Sequence, residues 1–199
     1  MTSPPQLPSW ATPKAVAGPP APDSPLDRQF AAFVGPRWPV YRRKFATFFV
    51  EPRFQPTWNW AAALLSPFWF LYRKLYLPFL FFAMMPGLAF SLLWGDASPT
   101  RQLPDPRTPS GPPLTAITED ALLVMMGVVI SSAILAGGTA NFLLFRRARA
   151  AIRVIAPQAP DAEGALALLG RIGGTSWRAV GIGLVVVLLL QLVNRGASG

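Results

Sequence analysis

Residues 121–147 read ALLVMMGVVISSAILAGGTANFLLFRR, and this stretch decides the fold. Its first 25 residues, Ala121 to Phe145, carry no charge. A hydrocarbon core about 30 Å thick needs about 20 helical residues, so the stretch is long enough to cross a bilayer. Two acidic residues precede it, where negative charge favours the start of a helix, and two arginines follow it. The pattern predicts a membrane-spanning helix over 121–145.

The composition of the whole chain agrees with a membrane location. Of its 199 residues, 52% are hydrophobic and 14% are charged, whereas roughly a quarter are charged in a typical soluble domain. Two further apolar stretches are predicted to span the membrane. They are 75–94, with a kink near Pro86, and 177–194, with Arg178 at its edge. The sequence therefore predicts an all-α membrane protein with three transmembrane helices.

Residues 28–74 combine aromatic rings with basic side chains. The run from Trp58 to Tyr72 is uncharged, but as a helix it would reach only about 22 Å at ~1.5 Å per residue, and Pro67 interrupts it. It is therefore predicted to be a cytoplasmic interfacial or re-entrant helical element. For 28–56 two interpretations stay open: a helix on the membrane surface, and an amphipathic helix packed on its own protein.

Aromatic and basic side chains of these segments are expected to set the depth of the chain in the bilayer and to bind anionic lipid headgroups or acidic partner loops. The residues expected at this interface are Trp38, Tyr41, Arg42, Arg43, Lys44, Trp58, Trp60, Trp69, Tyr72, Arg73, Lys74, Arg146, Arg147 and Arg149.

The remaining segments are predicted from their proline content and charge. Residues 1–27 are predicted as a Pro-rich cytoplasmic tail and 95–120 as a Pro-rich external loop, both extended, because dense proline prevents helices and central strands. Residues 146–176 are predicted as a basic cytoplasmic loop containing a short helix, Ala162–Leu169, whose start Asp161 favours.

The basic residues are unevenly divided between the two sides that three spans would create. Fifteen of the 18 lysines and arginines lie on the side of 1–74 and 146–178, and three lie on the other. The positive-inside rule places the basic side in the cytoplasm, so the N-terminus is expected there and 195–199 outside. A bacterial inner membrane is the expected location, and the net charge of +9 requires no nucleic-acid partner.

Histidine and cysteine are absent from the chain, which excludes imidazole bases, thiolate nucleophiles and cofactors held by either residue. The acidic residues lie in predicted tails, loops or span ends, and the apolar stretches contain no charge for ion transport. Residues 170–176, GRIGGTS, lack the Gly-Lys of a phosphate loop and are predicted as a plain turn. No catalytic residue, metal site or cofactor is expected, although lipids or pigments could bind at the periphery.

Small residues recur every four positions in the stretch 121–145 and again near the start of 177–194. In lipid, such faces let helix backbones approach closely. The sequence leaves open whether they pack within the chain or dock on a partner. The residues expected in helix packing are Ser132, Ala136, Gly137, Ala140, Asn141, Ala179 and Gly183.

Several motifs together resemble a known family. They are Phe33-Val34-Gly35, Tyr41, Lys44-Phe45, Trp58-Asn59-Trp60-Ala61-Ala62, Pro67-Phe68-Trp69, Tyr72-Arg73-Lys74, Gly138-Thr139-Ala140-Asn141 and Gly173-Gly174-Thr175-Ser176-Trp177. These motifs are similar to those of bacterial membrane proteins that carry domain of unknown function 2628. The resemblance covers about residues 30–180. It implies a small multi-pass membrane protein and implies no activity.

The function expected from these features is non-catalytic. The chain is predicted to be an accessory subunit that docks on and stabilises a larger inner-membrane complex, with a photosynthetic reaction-centre–light-harvesting assembly favoured over a respiratory one. The alternatives are an oligomeric small transporter or channel subunit, and a membrane organiser that binds anionic lipids. The expected partners are other membrane subunits and anionic lipids, with no nucleic acid.

Overall fold

The computed structural model describes residues 18–94 and 119–196, and every regular element in them is an α-helix. The all-α prediction is therefore confirmed for this part of the chain. The predicted tail before residue 18, the predicted loop over 95–118 and residues 197–199 lie outside it. The helices are α1 (Pro25–Val34), α2 (Trp38–Val50), α3 (Trp60–Leu65), α4 (Phe68–Tyr72), α5 (Tyr76–Trp94), α6 (Glu119–Ile155), α7 (Ala162–Ile172) and α8 (Trp177–Gly196).

The described residues divide into two compact units. The first, here called the basic unit, comprises the described residues up to Pro56 together with Asn141–Gly174. It contains eleven arginines and lysines against five acidic residues. The second, here called the apolar unit, comprises the described residues of Thr57–Ala140 and those from Thr175 onward.

Short polar side chains cap the N-termini of α1 and α7. Ser24 Oγ accepts a hydrogen bond from the backbone N–H of Asp27 at 3.2 Å at the start of α1. Asp161 Oδ1 accepts one from the Gly164 N–H at 2.6 Å at the start of α7. These side chains satisfy N–H groups that have no partner inside a helix. The predicted role of Asp161 is confirmed, and α7 continues beyond the predicted end at Leu169.

Two helical stretches are long and apolar enough to cross a membrane. They are Leu122–Ile155, within α6, and Ala162–Leu189, which contains α7, a break at 173–176 and part of α8. The shorter apolar helix Tyr76–Ala89, within α5, is below that length. The length and composition of these two stretches thus agree with the predicted membrane location. The third predicted span, 75–94, stays a prediction.

The apolar unit exposes large hydrophobic side chains. Leu77 and Leu92 of α5 are 81% and 78% exposed, and Ile182 of α8 is 67% exposed. Soluble monomers rarely expose apolar patches larger than a few hundred Å². Lipid tails, in contrast, solvate such side chains at no cost, because they are equally apolar.

Helix α6 changes character along its length. Its first part exposes large residues such as Leu123, whereas Leu144, Phe145 and Ala148 are buried. The span predicted to end at residue 145 is therefore followed by further helix to Ile155, because the arginines and alanines there are good helix formers and the apolar ones share a buried face. The predicted loop from 146 begins as helix.

Other predicted boundaries also move. Helix α1 begins at Pro25, so the predicted tail ends before residue 27, and proline suits the first turn of a helix. The helical element predicted over 58–74 forms as α3 and α4, with Pro67 between them. Its interfacial or re-entrant placement stays a prediction. The plain turn predicted over 170–176 forms only at 173–176, because α7 continues as helix to Ile172.

Candidate functional site

The aromatic rings of the basic unit form its core. The ring of Phe30 stacks on that of Trp38, with centroids 5.5 Å apart, and on that of Phe145, at 5.9 Å. Trp38 and Tyr41 are each 6% exposed. Of the two interpretations left open for 28–56, the helix packed on its own protein agrees with this core. A lipid-facing position is wrong for Trp38 and Tyr41, because neighbouring rings cover them.

A buried carboxylate joins α1 to α2 in this unit. Asp27 Oδ1 forms an ion pair with Arg42 Nε at 3.0 Å and accepts a hydrogen bond from the Trp38 indole N–H at 3.1 Å. Arg42 also donates from Nη2 to the carbonyl oxygen of Pro20 at 2.6 Å. These contacts tie the Arg42 guanidinium to α1 and to the residues before it, but its side chain is 29% exposed, and its interface role stays a prediction.

The two basic residues that follow Arg42 differ from each other in exposure. Arg43 is exposed, whereas Lys44 is half-buried. Burial lowers the pKa of the Lys44 ammonium group, because desolvation disfavours its charged form. Within this basic run, Arg43 is thus the residue best exposed to an outside ligand.

Three arginines lie along the last part of α6. Arg146, Arg149 and Arg153 are three and four residues apart, which places them in a row on one helix face. Arg146 and Arg153 are exposed, and Arg149 is half-buried. The guanidinium carbon of Arg146 lies 5.8 Å from the centroid of the Phe142 ring, a cation–π geometry. Arg147, which was predicted with them, is half-buried.

These arginines line a cavity of about 200 Å³, here called the arginine groove. Its lining residues are Pro52, Phe145, Arg146, Arg149, Ala150 and Arg153. Glu51 is next to Pro52 in sequence, but its carboxylate lies 2.7 Å from Arg53 Nε and accepts a hydrogen bond from Gln55 at 3.1 Å. Within the described part of the chain, no acidic group lies within 4 Å of the three groove arginines. The positive charge of the three groove arginines is therefore not neutralised by any acidic side chain in the described part of the chain.

The predicted interface tryptophans of the apolar unit differ in exposure. Trp58 is 41% exposed and Trp60 is 68% exposed, and their rings meet edge to face with centroids 5.3 Å apart. Trp69 is 4% exposed. An interface role stays a prediction for Trp58 and Trp60, and a lipid-facing role is wrong for Trp69.

The basic residues that precede α5 are partly enclosed. Arg73 is 4% exposed, and its guanidinium carbon lies 5.9 Å from the centroid of the Tyr72 ring. Lys74 and Tyr72 are half-buried, and the Tyr72 ring lies 4.9 Å from that of Trp177. Arg73 is thus held inside the unit, contrary to its expected role on lipid headgroups.

The small-residue face of α6 packs inside the apolar unit. Ser132 is 6% exposed, and Ala136 and Ala140 are fully buried. A Cβ atom added at Gly137 would lie 2.9 Å from the Cβ of Ala63. Of the two interpretations left open by the sequence, packing within the chain agrees with these positions.

One backbone hydrogen bond and one close contact extend this packing. The backbone N–H of Asn59 donates to the carbonyl oxygen of Gly137 at 2.9 Å. On α8, a Cβ atom at Gly183 would overlap the side chain of Leu71, and Ala179 is half-buried. Asn141, the last residue of the predicted face, is fully buried in the basic unit.

Comparisons with known proteins add no assignment. No family model, curated protein or solved structure matches this chain. The resemblance to domain of unknown function 2628 stays a prediction based on its motifs. Among the described residues, no group of three or more acidic side chains is placed to hold a metal ion, and the chain has no histidine or cysteine.

Sequence reasoning missed Asp27 and Arg153 as residues of interest. The spacing of Arg153 after Arg146 and Arg149 was a usable signal, because positions three, four and seven apart share a helix face. Asp27 gave no such signal, since its partners lie on another helix and only the fold brings them together.

Proposed function

We propose that this chain is a non-catalytic accessory subunit that docks on and stabilises a larger complex of the bacterial inner membrane. The observation that carries the proposal is the exposed apolar surface of α5 and α8, exemplified by Leu77 and Ile182. Residues 75–94 and 179–193 contain no acidic or basic side chain. Such a surface can pack on lipid or on other transmembrane helices but offers no group for acid–base chemistry or ion transport.

The proposal includes three membrane spans. Helix α5 has 19 residues, which at ~1.5 Å each gives about 28 Å, close to the ~30 Å of a hydrocarbon core. Arg73 and Lys74 precede it, as basic residues do on the cytoplasmic side of spans. With α6 and α8 as the other spans, the basic unit lies in the cytoplasm.

Docking would use bulky faces. The small face around Gly137 is already covered by Ala63 of the same chain. The exposed side chains that remain on α5 and α8 are mainly large, such as Leu88, Leu184 and Leu188. They would interdigitate with a neighbouring subunit by van der Waals packing.

The arginine groove favours a second candidate, a membrane organiser that binds anionic lipids. The oligomeric transporter or channel subunit has no comparable support, because residues 75–94, 121–145 and 179–193 contain no acidic or basic side chain. The preference for a photosynthetic complex stays a prediction from the sequence.

Blue-native electrophoresis of the full-length chain from membranes in mild detergent tests the accessory role. We expect comigration with an assembly much larger than the 21.6 kDa chain. Migration as a monomer or as a ladder of self-multimers would contradict the proposal.

Site-specific photocrosslinking locates the docking face. A photoreactive residue at Leu188 of α8 is expected to capture another membrane polypeptide, whereas one at Val154, which is 57% exposed in the basic unit, serves as the matched position. Adducts with lipid alone at Leu188 would mean that α8 is only an anchor.

A further inference from the structure

The arginine groove brings three positive charges together on one face of α6, and their mutual repulsion destabilises the helix. Arg149 and Arg153 are four residues apart on α6, and like charges at this spacing destabilise a helix. No described acidic group lies within 4 Å of either guanidinium. An anion bound between them would relieve this repulsion.

The shape of the groove suits a compact anion. Its volume of about 200 Å³ is below the roughly 300–1,000 Å³ of pockets that take larger organic ligands. Phe145 and Ala150 add apolar side chains to the lining that the three arginines form. Arginine donates two parallel hydrogen bonds to phosphate oxygens, and its charge is permanent.

The groove follows directly on the apolar part of α6. Phe145, the last residue of the uncharged stretch, is one of its lining residues, and Arg146 is the next. Basic side chains immediately cytoplasmic of a span lie at the level of anionic phospholipid headgroups.

We propose that the arginine groove binds the phosphate group of an anionic phospholipid, with Arg146, Arg149 and Arg153 as its ligands. The lipid as the source of the phosphate rests on the membrane location in the proposed function. The affinity of the groove for phosphate does not rest on the membrane location, because it depends on residues of the basic unit alone.

Native mass spectrometry of the full-length protein in a neutral detergent tests this site. Dioleoylphosphatidylglycerol is titrated against dioleoylphosphatidylcholine, and the affinity of the first bound lipid is measured. The variant R146Q/R153Q removes two exposed arginines of the groove, and R28Q/R37Q removes two exposed arginines elsewhere in the same unit. A second groove variant, A150E, places a carboxylate at an exposed lining position.

We expect the wild type to prefer phosphatidylglycerol. Its affinity should fall about 25-fold in R146Q/R153Q, since each arginine near an anionic lipid contributes about a factor of five. A150E should lose binding as well, and R28Q/R37Q should change by less than about twofold. Circular dichroism should show unaltered helix content in all variants, because the substituted side chains are exposed.

Three outcomes would overturn the proposal. Equal losses in R146Q/R153Q and R28Q/R37Q would mean general charge attraction, and equal binding of the two lipids would mean no anion site. Displacement of phosphatidylglycerol by an equal concentration of inorganic phosphate would assign the groove to free phosphate. Since the protein is assayed outside any complex, failure of the accessory role in blue-native electrophoresis leaves this result intact.

Discussion

At the scale of single residues, the stability of the basic unit depends on a few polar contacts with no counterpart in the local sequence. Asp27 is the clearest case. It is 8% exposed and joins Arg42 and Trp38 of α2 to α1. Burying a carboxylate is costly unless it is paired and hydrogen-bonded. Arg42 provides the ion pair and Trp38 the hydrogen bond.

Replacing Asp27 with alanine should therefore loosen α1 from α2. We expect a loss of about 2 kcal/mol in the free energy of local opening, because the Trp38 indole N–H loses its acceptor and Arg42 its ion pair. Hydrogen–deuterium exchange of the peptides that cover α1 measures this.

Glu51→Gln is the matched control for Asp27→Ala. It removes the ion pair of Glu51 and Arg53, whose side chains are 42% and 74% exposed. Exposed pairs contribute at most about 1 kcal/mol, so exchange in α1 should stay near the wild-type rate. Unchanged exchange in Asp27→Ala would show that this carboxylate does not hold the two helices together.

Gly173 is the second residue on which the basic unit depends. A Cβ atom there would overlap the backbone of Phe33, and the N–H of the adjacent Gly174 donates to the Phe33 carbonyl oxygen at 2.6 Å. Gly173→Ala should destabilise the unit by about 1–3 kcal/mol, as overpacking does. Thermal unfolding in detergent, followed by circular dichroism, measures the change.

Gly170→Ala, in the last turn of α7 just before Gly173, is the control. The nearest outside atom to its added Cβ is the carbonyl oxygen of Ala32 at 3.6 Å, an ordinary contact. Alanine also favours a helix over glycine by about 1 kcal/mol, so this variant should be neutral or more stable. Similar behaviour of the two variants would contradict the close approach at Gly173.

At the scale of elements, α6 packs on α3 through a glycine. The Cβ of alanine at Gly137 would lie 2.9 Å from the Cβ of Ala63 and 3.2 Å from the Trp58 ring. We expect Gly137→Ala to lower the thermal unfolding midpoint of the protein in detergent, because the backbone of α6 must move away.

Gly138→Ala tests whether that effect belongs to the position. Nothing lies within 4 Å of a Cβ atom at Gly138, so the neighbouring substitution should leave the midpoint unchanged or raise it through helix propensity. Equal loss in both variants would show that α6 is sensitive to any added methyl group here and that the Gly137 contact is not special.

Helix α8 provides a test of the membrane location itself. Val185 is 55% exposed, and on a soluble protein its replacement by arginine would change stability by about 0.5 kcal/mol or less. In the middle of a span the same change costs about 2.5–3.5 kcal/mol for insertion. We expect Val185→Arg to reduce the membrane-inserted fraction, measured by protease accessibility of a C-terminal tag.

Val154→Arg is the corresponding substitution in the basic unit. Val154 is 57% exposed, and arginine neighbours it in the sequence already. Normal insertion of both variants would argue against α8 as a span.

At the scale of the whole molecule, charge and apolar surface are separated between the two units. The basic unit holds eleven arginines and lysines, whereas the large exposed leucines Leu77 and Leu92 belong to the apolar unit. Attachment by charge alone is reversed by salt. Attachment by apolar helices is not.

The full-length chain should therefore stay in the membrane pellet after washing with 1 M salt, at which the Debye length is about 3 Å, and after washing with alkaline carbonate. Immunoblotting of pellet and supernatant measures this. Release into the supernatant would mean that the basic unit attaches the protein to the membrane surface and that the apolar helices do not span it.

The sequence by itself determined the helical character of the chain and the position of its apolar helices. The start of α8 at Trp177 agrees with it, because a run of hydrophobic residues acts locally. The helix continues past residue 145, where a loop was predicted, because Ala148 and Ile152 on that part of α6 are buried in the basic unit.

Only the tertiary structure decided which side chains face outward. Trp38, Trp69 and Arg73 have the composition of a membrane interface and are nevertheless buried, whereas Trp60 is exposed. Aromatic and long basic side chains are apolar over most of their length, so water, lipid and a protein core can each accommodate them. Whether such a side chain is buried or exposed depends on neighbours that are distant in sequence, so a local sequence pattern cannot predict it.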